Sequence, residues 1–266
     1  MTPALFIPEG ERFIPTELSR GPWTDDAQHG GPPAALLARA VERVDGGDAM
    51  QVTRLTVELL RPVPLTPLVV TTRMARPGRK VQLVEATLRA GEVEVARAIA
   101  LRIRRIALVL PPDVVGDRAL PPGPEHGTAR QPPVGEAGGL PAFHRAAVEH
   151  RFVASSFDRP GPATDWIRLR VPLVAGEPTS PLARVVAVAD FGNGISWVLS
   201  RAAGYRFINP DLTVYLHRLP AGDWVCLEAV TAVEPHGIGF AESRLWDQRG
   251  PLGRALQSLL LEGPGG

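Results

Sequence analysis

Residues 208–220 read INPDLTVYLHRLP, and the fold turns on this stretch. Leu212, Val214 and Leu216 alternate with Asp211, Thr213, Tyr215 and His217, the period-two signature of a strand with one face in a core. Asp211 heads the strand on its polar phase. The pattern has an upstream echo: residues 52–64 read VTRLTVELLRPVP, and a shift of 157 lays Leu55, Thr56, Val57 and Leu59 on Leu212, Thr213, Val214 and Leu216. The same shift puts Arg54 at the position of Asp211. An internal duplication explains the echo, and 266 residues suffice for two units of roughly 110–130 residues, each able to bury a core.

The segments around the two strands share a grammar. In the first half, two glycines and two prolines open a strongly apolar run, which predicts a helix from about Pro32 to Val44, stopped by Gly46 and Gly47. A helix apolar nearly all round calls for something that wraps it, and a curved sheet would do so. Strands are expected at 52–61, 68–75, 81–89 and 93–106, with tight turns at Pro77-Gly78 and Ala90-Gly91. Residues 109–140 are so rich in Pro and Gly that no regular element fits, and they read as a linker. In the second half a short helix is expected near 142–152 and a strand at 166–174. A second buried helix is expected to open at Gly192 and Gly194 and to end at Gly204, with strands at 211–218, 224–233, 238–246 and 252–261. The expected organisation is residues 1–108, a linker at 109–140, and residues 141–266.

The totals exclude several functions. Net charge is +1, from 29 basic and 28 acidic residues, which gives no footprint for nucleic acid or an anionic membrane. Lys80 is the only lysine, a bias toward arginine that suggests a GC-rich genome more than a function. Cys226 is the single cysteine, so no intrachain disulfide can form, and its apolar neighbours mark it as a buried structural thiol. No signal peptide is visible and no apolar run approaches the ~18 residues that span a bilayer, so a soluble cytoplasmic protein is expected. The six histidines lack metal-ligand spacing, the Gly192/Gly194 pair lacks a dinucleotide fingerprint, and Gly194-Ile195-Ser196-Trp197-Val198 ends in Val198 where a nucleophile elbow has Gly.

Two apolar helices, each followed by an antiparallel sheet, together with His29-Gly30-Gly31, TVELLRPVP, PDLTVYLHR and the C-terminal GRALQSLLLE, resemble the TesB-like acyl-CoA thioesterases. The resemblance implies an α+β double hotdog, two sheets joined into one around two central helices. It further implies water held by an Asp, a Ser or Thr and a Gln of the C-terminal half, falling here on Asp211, Thr231 and Gln257. The thioester carbonyl would be polarised by N–H groups at the start of the first helix, around His29, Gly30 and Gly31. The expected substrate is an acyl-CoA, with no cofactor beyond the CoA it carries, no nucleic acid, no membrane insertion, and a possible homo-oligomer. Direct attack of water needs a base, groups that orient the water and donors aimed at the developing oxyanion, and these residue types supply all three. Arg54 cannot act as a base, which predicts one active site per chain. Two rivals remain: a hotdog enoyl-CoA hydratase or dehydratase using Asp25, Asp26 and His29, and a catalytically silent acyl-CoA-binding protein.

Overall fold

The computed structural model describes residues 3–45, 49–111, 114, 119–134 and 139–265. The first half carries strands β1 (Phe6–Glu9), β2 (Arg12–Pro15), β3 (Met50–Leu59), β4 (Leu68–Arg76), β5 (Val81–Ala90) and β6 (Val93–Arg104), with helix α1 (Gly31–Glu42) between β2 and β3. The second half carries β7 (Thr128–Arg130), β8 (Val148–Ala154), β9 (Ala163–Leu169), helices α2 (Pro181–Ala189) and α3 (Gly192–Ser196), then β10 (Arg206–Ile208), β11 (Asp211–Leu216), β12 (Val225–Val233), β13 (Ile238–Asp247) and β14 (Gly250–Glu262). The strands form one antiparallel sheet in the order β1-β2-β4-β5-β6-β3-β11-β14-β13-β12-β9-β8-β7, with β10 on β14. The architecture is α+β, a double hotdog.

The two echoing strands meet at its centre. β3 and β11 pair antiparallel with Thr56 opposite Thr213, and the Thr213 hydroxyl lies 3.3 Å from that of Thr56. The 157-residue shift therefore joins two residues on a pseudo-twofold axis. Arg54 and Asp211 are equivalent but not partners, since Arg54 lies opposite Tyr215 and Asp211 opposite Glu58. Leu55, Val57, Leu212 and Val214 all point inward, where they join the buried faces of α1 and α2 in a single core spanning both halves. The helices run antiparallel: Gly31 at the start of α1 faces Ala187 near the end of α2, and Glu42 at the end of α1 meets Ser180 before α2.

The second central helix opens at Pro181, eleven residues before Gly192, where the glycines suggest it. Ser180 caps α2, its hydroxyl accepting from the Ala183 N–H at 3.1 Å, and Pro181 occupies the first turn, where its missing N–H is harmless. Val185, Val186 and Val188 disguise the segment, because β-branched residues favour strands until packing on both sides overrides propensity. Gly192 and Gly194 open only the short α3, and residues 197–204 do not continue it.

Two other expectations change. The Pro/Gly-rich segment holds the edge strand β7, paired with β8, after a short 3-10 turn at Pro124–His126, and the Trp166 indole N–H donates to the Pro122 carbonyl. The helix expected near 142–152 is a single π-turn, Phe143–Ala147, running straight into β8. The expected helix stop at Gly46 and Gly47 lies outside the described residues, as do parts of the Pro/Gly-rich segment. None of the described helices is long and apolar enough to cross a membrane.

Candidate active site

Where the end of α2 meets the start of α1, Asp190 closes α2 in a buried position, its side chain 3% exposed. Such a carboxylate must be hydrogen-bonded to persist. Oδ1 accepts from Asn209 Nδ2 at 2.8 Å and from Gln257 Nε2 at 2.9 Å, while Oδ2 lies 2.8 Å from His29 Nδ1. A carboxylate oxygen only accepts, so Nδ1 carries the proton and the other ring nitrogen is the basic one. Asn209 comes from the loop before β11, Gln257 from the inner face of β14 and His29 from the first half. The site is thus assembled across the duplication.

The backbone beside it is tightly matched. A Cβ on Gly30 would stand 2.8 Å from Asp190 Oδ2, and one on Gly31 would stand 2.4 Å from the Ala187 carbonyl, so only glycine admits this approach of α1 to α2. Pro32 and Pro33 follow and have no N–H, which leaves Gly30 and Gly31 as the only amide donors of the opening turn. The Gly30 N–H makes no hydrogen bond among the described residues, and that of Gly31 points at His29 Nδ1 from 3.2 Å, a poor contact once Nδ1 is protonated. Beside these groups opens a cavity of about 470 Å³ lined by His29, Gly30, Asp190 and Asn209 and by Trp23, Phe157, Phe191, Trp197 and Phe207. A buried carboxylate, an imidazole and the helix-start amides beside a cavity with five large aromatic rings can bind an acyl group and direct water at its carbonyl.

A model of the acyl-CoA thioesterase C-terminal domain matches residues 118–261, and one of the N-terminal domain matches residues 19–103. The chain belongs to the acyl-CoA thioesterase family. It is a thioester hydrolase. Among solved structures it is similar to an acyl-CoA thioesterase II, TesB2, from Mycobacterium marinum, at 17% identity and TM-score 0.66 over 100% of this chain and 96% of that one. It is similar to the tesB protein of Mycobacterium avium subs paratuberculosis, at 14% and 0.67 over 97% and 96%. A hot dog fold protein of unknown function from Alicyclobacillus acidocaldarius is also similar, at 20% and 0.72 over 97% and 96%. At these identities the likeness is one of fold. Among curated proteins none matches the sequence.

In this thioesterase the expected catalytic trio does not converge. Of Asp211, Thr231 and Gln257, only Gln257 reaches the buried carboxylate. On the paired strands Leu212 lies beside Gln257 and Asp211 beside Ser258, so Asp211 projects from the opposite face of the sheet, where its Oδ1 accepts from the Ser258 N–H at 2.7 Å. Thr231 shares the inner face but sits two strands from Gln257, and its hydroxyl bonds Ser196 at 2.8 Å and Asn193 Oδ1 at 3.2 Å. It steadies α3 instead, and touches the site through Asn193, whose N–H donates to Gln257 Oε1 at 3.3 Å. His29, Gly30 and Gly31 all lie at the site. Asp25 and Asp26 are exposed and form no acid–base set with His29, whose carboxylate partner comes from the other half. Asp190 and Asn209 were missed: their signals are a lone acid ending the apolar run at 182–189 and an Asn before Pro210.

The pseudo-equivalent end of the helix pair is built differently. Ile99 pairs with Thr56 as Leu256 pairs with Thr213, so the counterpart of Gln257 is Ala100, and at the same shift that of Asn209 is Val52. A smaller cavity of about 300 Å³ lies there, walled by ion pairs of Arg39 and Arg43 with Glu177. Burial raises the Glu42 carboxyl above its usual range, despite its bond with Ser180.

Proposed function

We propose that the protein hydrolyses fatty acyl-CoA to a free fatty acid and CoA by direct attack of water, with Asp190 as the base. The observation that carries this is the convergence of Asn209, Gln257 and His29 on one buried carboxylate beside the Gly30-Gly31 amides. Water held against Asp190 gives up a proton as its oxygen bonds the thioester carbon. The carbonyl oxygen becomes an oxyanion facing the Gly30 and Gly31 N–H groups, at the positive end of α1. Collapse of the tetrahedral intermediate breaks the C–S bond, and the proton leaves with the CoA thiol. Gln257 and Asn209 hold the carboxylate in place, and no covalent intermediate, metal or cofactor is required.

The His29 contact supports a second version, in which its free ring nitrogen takes the proton and Asp190 fixes the tautomer. Steady-state hydrolysis of an acyl-CoA series, read by free thiol, tests both. Asp190→Asn should lower kcat by a hundredfold or more, on the order of general-base contributions. If Asp190 is the base, His29→Gln loses much less; an equal loss would assign the base to His29. Full activity in Asp190→Asn would overturn the proposal, and binding without thiol release by the wild type would make the protein a silent acyl-CoA binder.

A further inference from the structure

A second histidine on the cavity wall has no task in this mechanism. His144 lies in the π-turn Phe143–Ala147 and is only 7% exposed. The turn is held from both halves: the Phe143 N–H donates to the Arg20 carbonyl at 2.9 Å, Arg20 Nη1 donates to the Pro141 carbonyl at 2.8 Å, and Arg145 Nη1 donates to the Pro132 carbonyl at 2.5 Å. The ring stands 6.5 Å from that of His29, inclined by 27°, and lines the same cavity as Asp190. Neither Nδ1 nor Nε2 has a hydrogen-bond partner among the described residues. Leaving buried polar atoms unmatched costs about 1–3 kcal/mol, and the cavity they line also presents the rings of Trp23, Phe157, Phe191, Trp197 and Phe207.

The electrical setting narrows what the ring can do. Burial, reinforced by His29, Arg145, His150 and Arg201, pushes its pKa down to about 3. Such a ring is too weak a base to activate water and carries no charge to clamp an anion. A neutral imidazole does keep one donor and one acceptor, the complement of a hydroxyl or carbonyl oxygen.

We infer that His144 reads a neutral oxygen substituent on the acyl chain, so that the favoured substrates are hydroxy- or oxo-acyl thioesters rather than plain hydrocarbon ones. The inference rests on the thioesterase reading. The aromatic lining suits the carbon chain, and the closeness of His144 to His29 places the recognised oxygen within a few bonds of the thioester carbonyl. An amide of the pantetheine arm offers the same hydrogen bonds, and the two sources separate experimentally.

The test compares kcat/KM for chain-matched plain, hydroxy- and oxo-acyl-CoAs in wild type, His144→Gln and His144→Phe. Binding of non-hydrolysable thioether analogues of the same acyl groups is measured by calorimetry. Wild type should favour an oxygenated chain by about tenfold to a hundredfold, the worth of one to two matched buried hydrogen bonds. His144→Phe should abolish or reverse that preference while still processing the plain chain, and His144→Gln should retain part of it. No preference in the wild type for any oxygenated chain overturns the inference, whether or not the variants fold. An equal loss on plain and oxygenated chains in His144→Phe also overturns it and assigns the ring to the pantetheine amide. Preferential binding of oxygenated analogues without hydrolysis would uphold the role of His144 and sink the thioesterase reading; hydrolysis without preference would do the reverse.

Discussion

Two aspartates twenty-one positions apart illustrate how little residue type says without its surroundings. Asp190 is buried among three donors, whereas Asp211 sits on the outer face of β11 with one backbone N–H. Asp211→Asn keeps the shape and an accepting oxygen on the sheet face turned away from Asp190, so thioester hydrolysis should stay within about threefold of wild type. A hundredfold loss in steady-state assays would return the base to Asp211. His144 yields a separate prediction. In the unfolded chain its imidazole titrates near 6.5, whereas the folded protein refuses the proton until about pH 3. Acid therefore favours the unfolded state, and this contribution to stability, full above pH 6.5, is lost as pH falls toward 3. Urea denaturation from pH 7 to pH 4 should show His144→Phe losing less stability than wild type across that window; parallel pH profiles would contradict it.

At the scale of elements, the helices decide where the chemistry sits. α1 was legible because Gly30-Gly31-Pro32-Pro33 announces its start and the apolar run behind it has no β-branched interruption before Val41. α2 was not, since its valines look like a strand and the glycines after it look like a helix start. Its true opening signal is Ser180-Pro181, a side-chain cap followed by a residue that needs no N–H partner. Ser180→Ala should therefore cost about 1 kcal/mol in chemical denaturation, the usual worth of an N-cap. Its bond to the partly buried Glu42 carboxyl would be lost as well, so no change at all would mean that the cap is unimportant. The displaced helix also explains why Asp190 escaped notice. Only when α2 ends at Ala189 does Asp190 become a helix terminus facing α1, instead of a residue in a connecting loop.

For the whole molecule, the duplication makes two ends and equips one. The pseudo-twofold through Thr56 and Thr213 sets Ala100 against Gln257 and Val52 against Asn209, while ion pairs with Glu177 line the smaller cavity. Calorimetric titration of Asp190→Asn with a non-hydrolysable acyl-CoA analogue should accordingly give one site per chain, and a stoichiometry of two would show that the other end also binds. His29 and Asp190 come from different halves and lie 2.8 Å apart, so the site requires both halves in register.

The amino-acid sequence by itself determined the echo between the two halves, the central strands and the first helix, and it singled out Gln257, His29, Gly30 and Gly31, which the fold brings to one place. These follow from periodicity and local punctuation, which survive in one dimension because a strand's alternation and a helix start are set by neighbouring residues. Only the tertiary structure decided which carboxylate meets Gln257. A strand's alternation separates its two faces but does not reveal which polar face looks into a cavity, and one step along β11 moves a side chain from the core to the outside. Asp211 shares its phase with Thr213 and Tyr215 and turns outward with them. Asp190 is carried to Gln257 by the packing of α2 against α1, a contact between residues 67 positions apart that no local pattern records.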